Sequence, residues 1–135
     1  MIQSKNMKFR NFHLIVSVLL IFGIATTYGF SPEKIIPALA DCNTQSNDLK
    51  NAFKALMGLY FGLSIFWILG IINPRYWHSA TLVNILFMFG LGIGRIISLV
   101  ADGLPSQGMF AGIAIELFLG IWGIISLKIF SGISK

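Results

Sequence analysis

Four runs of apolar residues, each about 19 to 23 residues long, occupy most of this 135-residue chain. A helix that crosses a bilayer needs ~20 mostly apolar residues, because it rises ~1.5 Å per residue through a hydrocarbon core ~30 Å thick. Each run is therefore long enough to span a membrane once. The pattern predicts an all-α, integral membrane four-helix bundle that forms one domain, with spans over residues 12–30, 52–72, 79–101 and 109–130.

Composition and charge restrict what can surround such a chain. Hydrophobic residues make up 56% of it and charged residues only 11%, whereas about a quarter of the residues in soluble domains are charged. The formal net charge is +5, but the ten basic residues are scattered between apolar segments and form no patch suited to nucleic acid. We therefore expect the lipid bilayer as the main partner, and no nucleic acid.

The first apolar run has two explanations. Its basic flank, its apolar stretch and the later Ala38-Leu39-Ala40 imitate the three regions of a secretory signal. However, Ala40 lies too far beyond the end of the run for a usual cleavage site. We therefore expect the first run to be an uncleaved spanning helix.

The segment between the first two runs predicts a short helix at the membrane surface. Ser31-Pro32-Glu33 combines an N-cap residue, a proline suited to the first helical position and an early acid, so a helix is expected over residues 31–40. A polar turn follows over residues 41–46. Asn47-Asp48 then supplies a second cap, so the second spanning helix is expected to begin outside the membrane.

The remaining two connections are expected to be short. Asn73-Pro74-Arg75 predicts the end of the second span. Tyr76, Trp77 and His78 would then form a connection whose aromatic rings anchor at the membrane surface. The glycine and proline within residues 102–106 predict a tight turn between the last two spans.

Basic residues near the helix ends predict the orientation. By the positive-inside rule, the side with more Lys and Arg next to the spans is cytoplasmic. Only Lys34 and Lys50 lie on the side that holds the first and third connections. Both termini of a multi-pass cell-membrane protein are therefore expected in the cytoplasm, together with six basic residues: Lys5, Lys8, Arg10, Arg75, Lys128 and Lys135.

Three ionisable residues fall within the predicted spans: Lys54, Arg95 and Glu116. Each costs about 2.5 to 3.5 kcal/mol at mid-helix unless a partner or water compensates. Counting from the last turn places Arg95 and Glu116 at one depth, ~12 to 14 Å from the surface, so they can pair. Lys54 lies nearer the surface. The sequence predicts an ion cluster in the outer half of the bundle formed by Lys54, Arg95, Glu116, Asp48 and Asp102.

Two interpretations of this cluster remain open. In the first, Arg95 and Glu116 form a buried ion pair that fixes the helix register, while Asp48 or a lipid phosphate satisfies Lys54. In the second, the cluster lines a polar pocket that binds an anionic or polar ligand or relays protons through Glu116. Charges within the membrane are often functional, so the second interpretation needs a direct test.

Glycines recur at helical spacing and predict where helices approach closely. Gly58 and Gly62 form one small-x-x-x-small pair, and Gly90 and Gly94 form another. In the fourth span, small residues recur on the same face as Glu116. We expect helix packing through Gly58, Gly62, Gly90, Gly94, Gly112 and Gly120, with Gly123 continuing the last stripe.

Residues for catalysis or metal binding are sparse. Cys42 is the only cysteine, and the two histidines, His13 and His78, lie near helix ends rather than at mid-membrane. No set of His, Cys, Asp or Glu has metal-ligand spacing, and no nucleophile has a base at the same depth. We therefore predict no metal, no cofactor and no enzymatic activity.

Several short motifs resemble a known family. They are Asn51-x-Phe53-Lys54-x-x-x-Gly58-x-Tyr60-x-Gly62, then Gly94-Arg95-x-x-Ser98, and then Gly103-x-Pro105-Ser106 followed by Glu116. Together they resemble the small bacterial membrane proteins catalogued as domain of unknown function 4345. The resemblance implies a four-helix domain of the bacterial inner membrane. It also implies that Lys54, Arg95 and Glu116 are the residues to test, although the family usually has arginine in place of Lys54.

Two functional hypotheses follow. The first is a non-enzymatic accessory or scaffold protein that associates with itself or with another membrane protein through its glycine-lined faces. The second is a small ligand-binding or transport-like protein that uses Lys54, Arg95 and Glu116 in a pocket. A membrane enzyme is a third class, for which the chain offers no nucleophile or metal site.

Overall fold

A computed structural model describes residues 2–30, 32–39 and 46–131, and the side chains of residues 9–30, 32–38 and 46–131. The predicted cap Ser31, most of the predicted turn over 41–46 and Cys42 lie outside these ranges. The described residues form five helices: α1 Ile2–Phe30, α2 Pro32–Leu39, α3 Asn47–Ile72, α4 Pro74–Asp102 and α5 Gln107–Phe130. The prediction of an all-helical bundle is confirmed for the described part of the chain.

Four of these helices are long and apolar enough to cross a membrane. The candidate spans within the described residues are Phe9–Phe30, Asn47–Ile72, Pro74–Asp102 and Gln107–Phe130. Each helix extends beyond the apolar run that predicted it. Polar residues such as Asn47 and Gln107 continue the helices at the membrane surface, where water can satisfy free backbone groups.

The distribution of side chains fits a lipid environment. Large apolar side chains point outward, with Leu19, Leu86 and Phe118 being 70%, 65% and 61% exposed. Polar side chains such as His13 and Asn84 are fully buried. Outward apolar residues and inward polar residues are expected when hydrocarbon surrounds the bundle. The chain is therefore a small helical membrane protein.

The four long helices pack in a ring. Along the ring, α1 contacts α3, α3 contacts α4, α4 contacts α5, and α5 returns to α1. The packing is closest between α1 and α3 and between α4 and α5, and it is loosest between α1 and α5. We call the end that holds α2 and the α4–α5 connection the α2 end, and the opposite end the Asn73 end.

Asn73 is the entire connection between α3 and α4, which corrects one prediction. Its backbone N–H donates to the Leu69 carbonyl at 2.9 Å, and its side-chain Oδ1 accepts from the Arg75 amide at 3.1 Å. Pro74 needs no amide partner at the first helical position. Because Asn73 caps both helices, the predicted connection at Tyr76, Trp77 and His78 is wrong. These residues form the first turns of α4, and Trp77 is fully buried.

The α2 end is closed by a short helix and a tight turn. In α2, Ile36 is 1% exposed and holds the helix against the bundle, while Glu33 and Lys34 are exposed. At the end of α4, Gly103 adopts a φ of 98°, which glycine accepts without the steric cost of a Cβ. The predicted turn here is present, with residues 103–106 joining α4 to α5.

Close glycine contacts join neighbouring helices. A Cβ at Gly70 would overlap the Ala80 Cβ, so α3 and α4 meet almost backbone to backbone near the Asn73 end. The Ile85 side chain of α4 similarly packs against the backbone of α5 at Gly123, where a Cβ would lie 2.7 Å from it. Such contacts matter in membranes, because lipid provides little hydrophobic drive for helix association. The buried apolar core around them comprises Leu14, Ile21, Ala25, Tyr60, Trp67, Trp77, Ala80, Met88 and Leu119.

Gly70→Ala should destabilise the bundle. The new methyl group has no space beside the rigid Ala80 Cβ, and overpacking of this kind costs about 1 to 3 kcal/mol. The change is measured as the free energy of unfolding in a denaturing-detergent titration. Gly58→Ala is the matched control, because no described atom of a neighbouring helix lies within 4 Å of its Cβ position. Equal stability of the two variants would contradict this packing.

Asn73→Ala should also lower stability, by about 1 kcal/mol, because the Arg75 amide loses its side-chain acceptor. Asn73→Ser keeps a capping oxygen and should retain most of that free energy. The same unfolding titration measures both variants. A loss of similar size in Asn73→Ser would show that the cap is not the cause.

Candidate functional site

A cavity of about 190 Å³ lies in the half of the bundle nearer the α2 end. An apolar cavity of about 150 Å³ can hold benzene, so this one has room for a ring-sized group or a short branched chain. Its walls are mostly apolar. The lining residues are Leu20, Ile21, Ile24, Thr27 and Tyr28 of α1, Ile36 of α2, Arg95 of α4, and Gly108, Met109, Gly112, Ile115, Glu116 and Leu119 of α5.

The cavity reaches the lipid-facing surface between α1 and α5. Three of its lining side chains, Leu20, Ile24 and Ile115, are 37%, 36% and 46% exposed. This is also the loosest seam of the ring. A molecule dissolved in the bilayer can therefore approach the cavity sideways, without passing through water.

An ion pair forms the polar part of the cavity wall. Arg95 Nε donates to both carboxylate oxygens of Glu116, each at 3.0 Å. The Glu116 side chain is only 8% exposed, and that of Arg95 is 26% exposed. The pair joins α4 to α5, as the equal depth of the two residues in the sequence predicted. Within the described residues it is the one ion pair between Lys or Arg and Asp or Glu.

The geometry of the pair leaves part of the guanidinium available. A bidentate contact uses two N–H groups of arginine, whereas here Nε alone serves both oxygens of Glu116. The second contact of the guanidinium is weak, from Nη1 to the Met109 sulfur at 3.2 Å. Among the described residues, Nη2 donates to no protein acceptor. Arg95 therefore presents hydrogen-bond donors at the border of an apolar cavity.

Two glycines lie next to the ion pair. A Cβ on Gly112 would lie 3.6 Å from Arg95 Cζ, so the guanidinium rests directly on the backbone of α5. Glu116 follows one turn later on the same face. On the opposite helix, a Cβ on Gly92 would meet Leu117 at 2.8 Å. The Gly92 position lets α4 and α5 approach closely beside the ion pair.

Lys54, Asp48 and Asp102 do not join the pair, which corrects the predicted five-residue cluster. Lys54 and Asp48 are exposed, and neither lines the cavity. Asp102 accepts a hydrogen bond from Ser98 of its own helix at 2.8 Å. The inward face of α3 is set by Tyr60, Ser64, Trp67 and Gly70. Extending this face backwards by one or two turns reaches Met57 and Phe53, so Lys54 points away.

The predicted glycine contacts divide into two groups. Gly112 and Gly120 pack against Arg95 and Phe89 of α4, as the small-residue stripe predicted. The other four are exposed, and no described atom of a neighbouring helix lies within 4 Å of their Cβ positions. Their predicted packing within this chain is therefore wrong. These positions are Gly58, Gly62, Gly90 and Gly94.

Sequence reasoning missed the α1 and α2 sides of the cavity. Thr27, Tyr28 and Ile36 line it, yet the apolar pattern gives no reason to separate them from lipid-facing neighbours. Met109 was missed because it lies at the start of the last apolar run. In the described ranges, His, Cys, Asp and Glu form no group of three that could hold a metal ion.

A comparison with known protein families shows to which family the chain belongs. The family model described as Domain of unknown function (DUF4345) matches residues 9–127. This chain belongs to that family. The match runs from the start of the first span into α5 and includes Arg95 and Glu116, so the resemblance seen in the sequence is confirmed. No curated protein and no solved structure matches the chain. Membership of DUF4345 thus supplies no activity, and function has to be argued from the site.

Glu116→Gln should lower stability by about 3 kcal/mol, because it leaves the Arg95 charge without its partner. The expected loss lies at the low end of the range for buried pairs, since Arg95 is 26% exposed. The double variant Arg95→Met, Glu116→Leu removes both charges and should recover most of the loss. Detergent unfolding titrations measure each variant.

Asp102→Asn is the matched control, because this exposed acid bonds only within its own helix. It should change stability by less than about 0.5 kcal/mol. Full stability of Glu116→Gln would contradict a stabilising Arg95–Glu116 contact in the folded protein.

Proposed function

We propose that this protein is a non-enzymatic membrane protein that binds a small, mostly apolar molecule in the cavity beside Arg95 and Glu116. The observation that carries the proposal is the unused donor group of Arg95 at the border of an apolar cavity. Small-molecule sites commonly combine apolar walls with a few polar groups that fix orientation. A scaffold role alone gives no reason for such a combination.

The charge of the pair limits the head group of the ligand. Glu116 already compensates Arg95, so a second full negative charge would meet the carboxylate as well as the guanidinium. A neutral acceptor such as a carbonyl, ether or hydroxyl oxygen can accept from Nη2 without that repulsion. The proposed ligand therefore has a ring-sized or branched apolar part and a neutral hydrogen-bond acceptor.

The direction of entry supports a ligand that comes from the bilayer. The seam between α1 and α5 exposes apolar lining residues to lipid, and Ile36 of α2 covers the end of the cavity. An apolar molecule concentrates in the hydrocarbon before it binds. We infer a role in holding, presenting or moving such a molecule within the membrane.

The proposed location is the cell membrane of a bacterium, with both termini in the cytoplasm. The orientation is supported by the six basic residues at the ends that would face the cytoplasm, against two at the other ends. In this orientation the cavity lies in the outer half of the bilayer. A ligand would then enter from the outer leaflet.

A scaffold function is the second candidate, and one observation favours it. Gly58 and Gly62 of α3 and Gly90 and Gly94 of α4 are exposed, with space above them. Small-x-x-x-small faces allow close approach of another membrane helix. Self-association, or association with another membrane protein, would use these faces and leave the cavity unchanged.

The first test is to identify what leaves with the purified protein. Native mass spectrometry in mild detergent, with analysis of a solvent extract, should show a small molecule in stoichiometric amount. Gly112→Leu places a side chain between Arg95 and the cavity and should reduce its content at least about tenfold, since a steric block costs more than 1.4 kcal/mol of binding. Gly58→Leu, outside the cavity, is the matched control and should retain it.

A pair of defined probes tests the head group. Ethylbenzene and acetophenone have similar size, but only acetophenone has a carbonyl acceptor. After correction for partition into detergent, acetophenone should bind about 3- to 10-fold more tightly, the worth of one hydrogen bond. The preference should vanish in the double variant Arg95→Met, Glu116→Leu. No bound small molecule in the wild type, together with a defined oligomer lost in Gly62→Leu, would favour the scaffold instead.

A further inference from the structure

A second group of polar side chains is buried in the half of the bundle nearer the Asn73 end. None of them lines the cavity. Each of the six residues is 0% exposed, and in each one a buried nitrogen or oxygen atom has no hydrogen-bond partner among the described residues. We call this group the polar layer: His13 Nε2, Ser64 Oγ, Trp67 Nε1, Trp77 Nε1, Thr81 Oγ1 and Asn84 Nδ2.

Without hydrogen-bond partners, the polar layer would strongly destabilise the folded protein. A buried polar group without a partner loses its hydrogen bonds to water and gains none in return, so six of them would together cost a large part of the stability of an ordinary domain. Buried polar atoms in native proteins are nearly always paired with protein or with ordered water. The polar layer therefore needs a partner that the described residues do not supply.

Contacts between α1 and α4 link three members of the layer, His13, Trp77 and Asn84. The His13 ring of α1 meets the Trp77 ring of α4 edge-on, with centroids 6.3 Å apart. One turn further along α1, Ser17 Oγ donates to Asn84 Oδ1 at 3.5 Å. Ser64 and Trp67 lie on the inward face of α3, one turn apart. The layer thus spans two turns of α4, about 10 Å, which exceeds the size of a single ion.

The balance of donors and acceptors selects the kind of partner. His13 Nδ1 contacts the Arg10 carbonyl at 3.1 Å; since a carbonyl only accepts, Nδ1 carries the hydrogen and Nε2 of the neutral ring is an acceptor. The Trp67 and Trp77 indoles and the Asn84 amide nitrogen can only donate. Hydroxyls do both. An anion cannot satisfy His13, and a cation cannot satisfy the indoles, but water satisfies all of them.

The layer is closed on both sides. Towards the cavity, the apolar side chains of Ile21, Met88 and Leu119 are at most 3% exposed and separate the two sites. Towards the Asn73 end, the Arg10 guanidinium lies over the Trp77 ring at 5.1 Å. Asn11 then ties α1 to the last turn of α3 by donating to the Ile71 carbonyl at 3.0 Å.

We propose that the polar layer is a water-binding site, in which a small cluster of ordered water molecules is held between α1, α3 and α4. The cluster is a site of its own, separated from the ligand cavity by Ile21, Met88 and Leu119. Because Asn84 lies 11 residues beyond Asn73, about 16 Å along α4, this water reaches near the middle of a hydrocarbon core ~30 Å thick.

Water-edited NMR of protein with ¹⁵N-labelled tryptophan in lipid nanodiscs tests this directly. Magnetisation should pass from water to the indole protons of Trp67 and Trp77, although both rings are fully buried. The double variant Thr81→Val, Asn84→Leu should reduce this transfer severalfold and leave Trp122, which is outside the layer, unchanged. Transfer in the wild type no greater than in a sample prepared in D₂O would overturn the proposal.

The sign of a stability change provides a second measurement. If water bonds to the Thr81 hydroxyl, Thr81→Val should lower Tm by on the order of 4 °C, which corresponds to the loss of about 1 kcal/mol. If that hydroxyl is unpaired, the same change should raise Tm. Thr26→Val is the matched control. Thr26 is a threonine of α1 whose hydroxyl donates to the Gly23 carbonyl of its own helix. A Tm for Thr81→Val equal to or above that of the wild type would contradict a hydrated layer.

Discussion

The bundle is surrounded by hydrocarbon instead of water, and the rest of this structure depends on that constraint. It places Leu19, Leu86 and Phe118 on the outside and leaves polar groups such as Glu116 and Asn84 only the interior. It also removes much of the hydrophobic drive that holds soluble bundles together. Cohesion must then come from close backbone approach and from polar contacts between helices. The Gly70–Ala80 contact and the Arg95–Glu116 pair supply one example of each.

The position of the cavity follows from the path of the chain. In a ring of four antiparallel helices joined in sequence, three seams are bridged by a connection and the fourth lies between the first and last helices. Here that fourth seam is between α1 and α5, and it is the loosest. The Arg95–Glu116 pair and the turn over residues 103–106 hold α4 to α5 nearby. The cavity thus opens where no covalent connection and no ion pair among the described residues draws the helices together.

The sequence predicted correctly how far along a helix axis a residue lies. It failed to predict which side of the helix faces a neighbouring helix. The apolar runs defined four spans, and a fixed rise per residue from a short turn brought Arg95 and Glu116 to one depth. The same counting says nothing about which way Lys54 points, because that depends on the packing of Tyr60 and Trp67. Glycine pairs such as Gly58 and Gly62 look alike whether they face a helix or lipid. The polar layer escaped notice because its members are isolated on three helices and only the tertiary fold joins them.

The one-residue connection at Asn73 also governs how the bundle can move. Capping by a single residue fixes the last turn of α3 to the first turn of α4, and Gly70 against Ala80 locks the helices just above it. These two helices can therefore separate only by pivoting about Asn73, so that their far ends move apart. Displacement grows with distance from a pivot, so it is greatest at the α2 end. The fold thus keeps the hydrated half still and leaves freedom of movement to the half that contains the cavity.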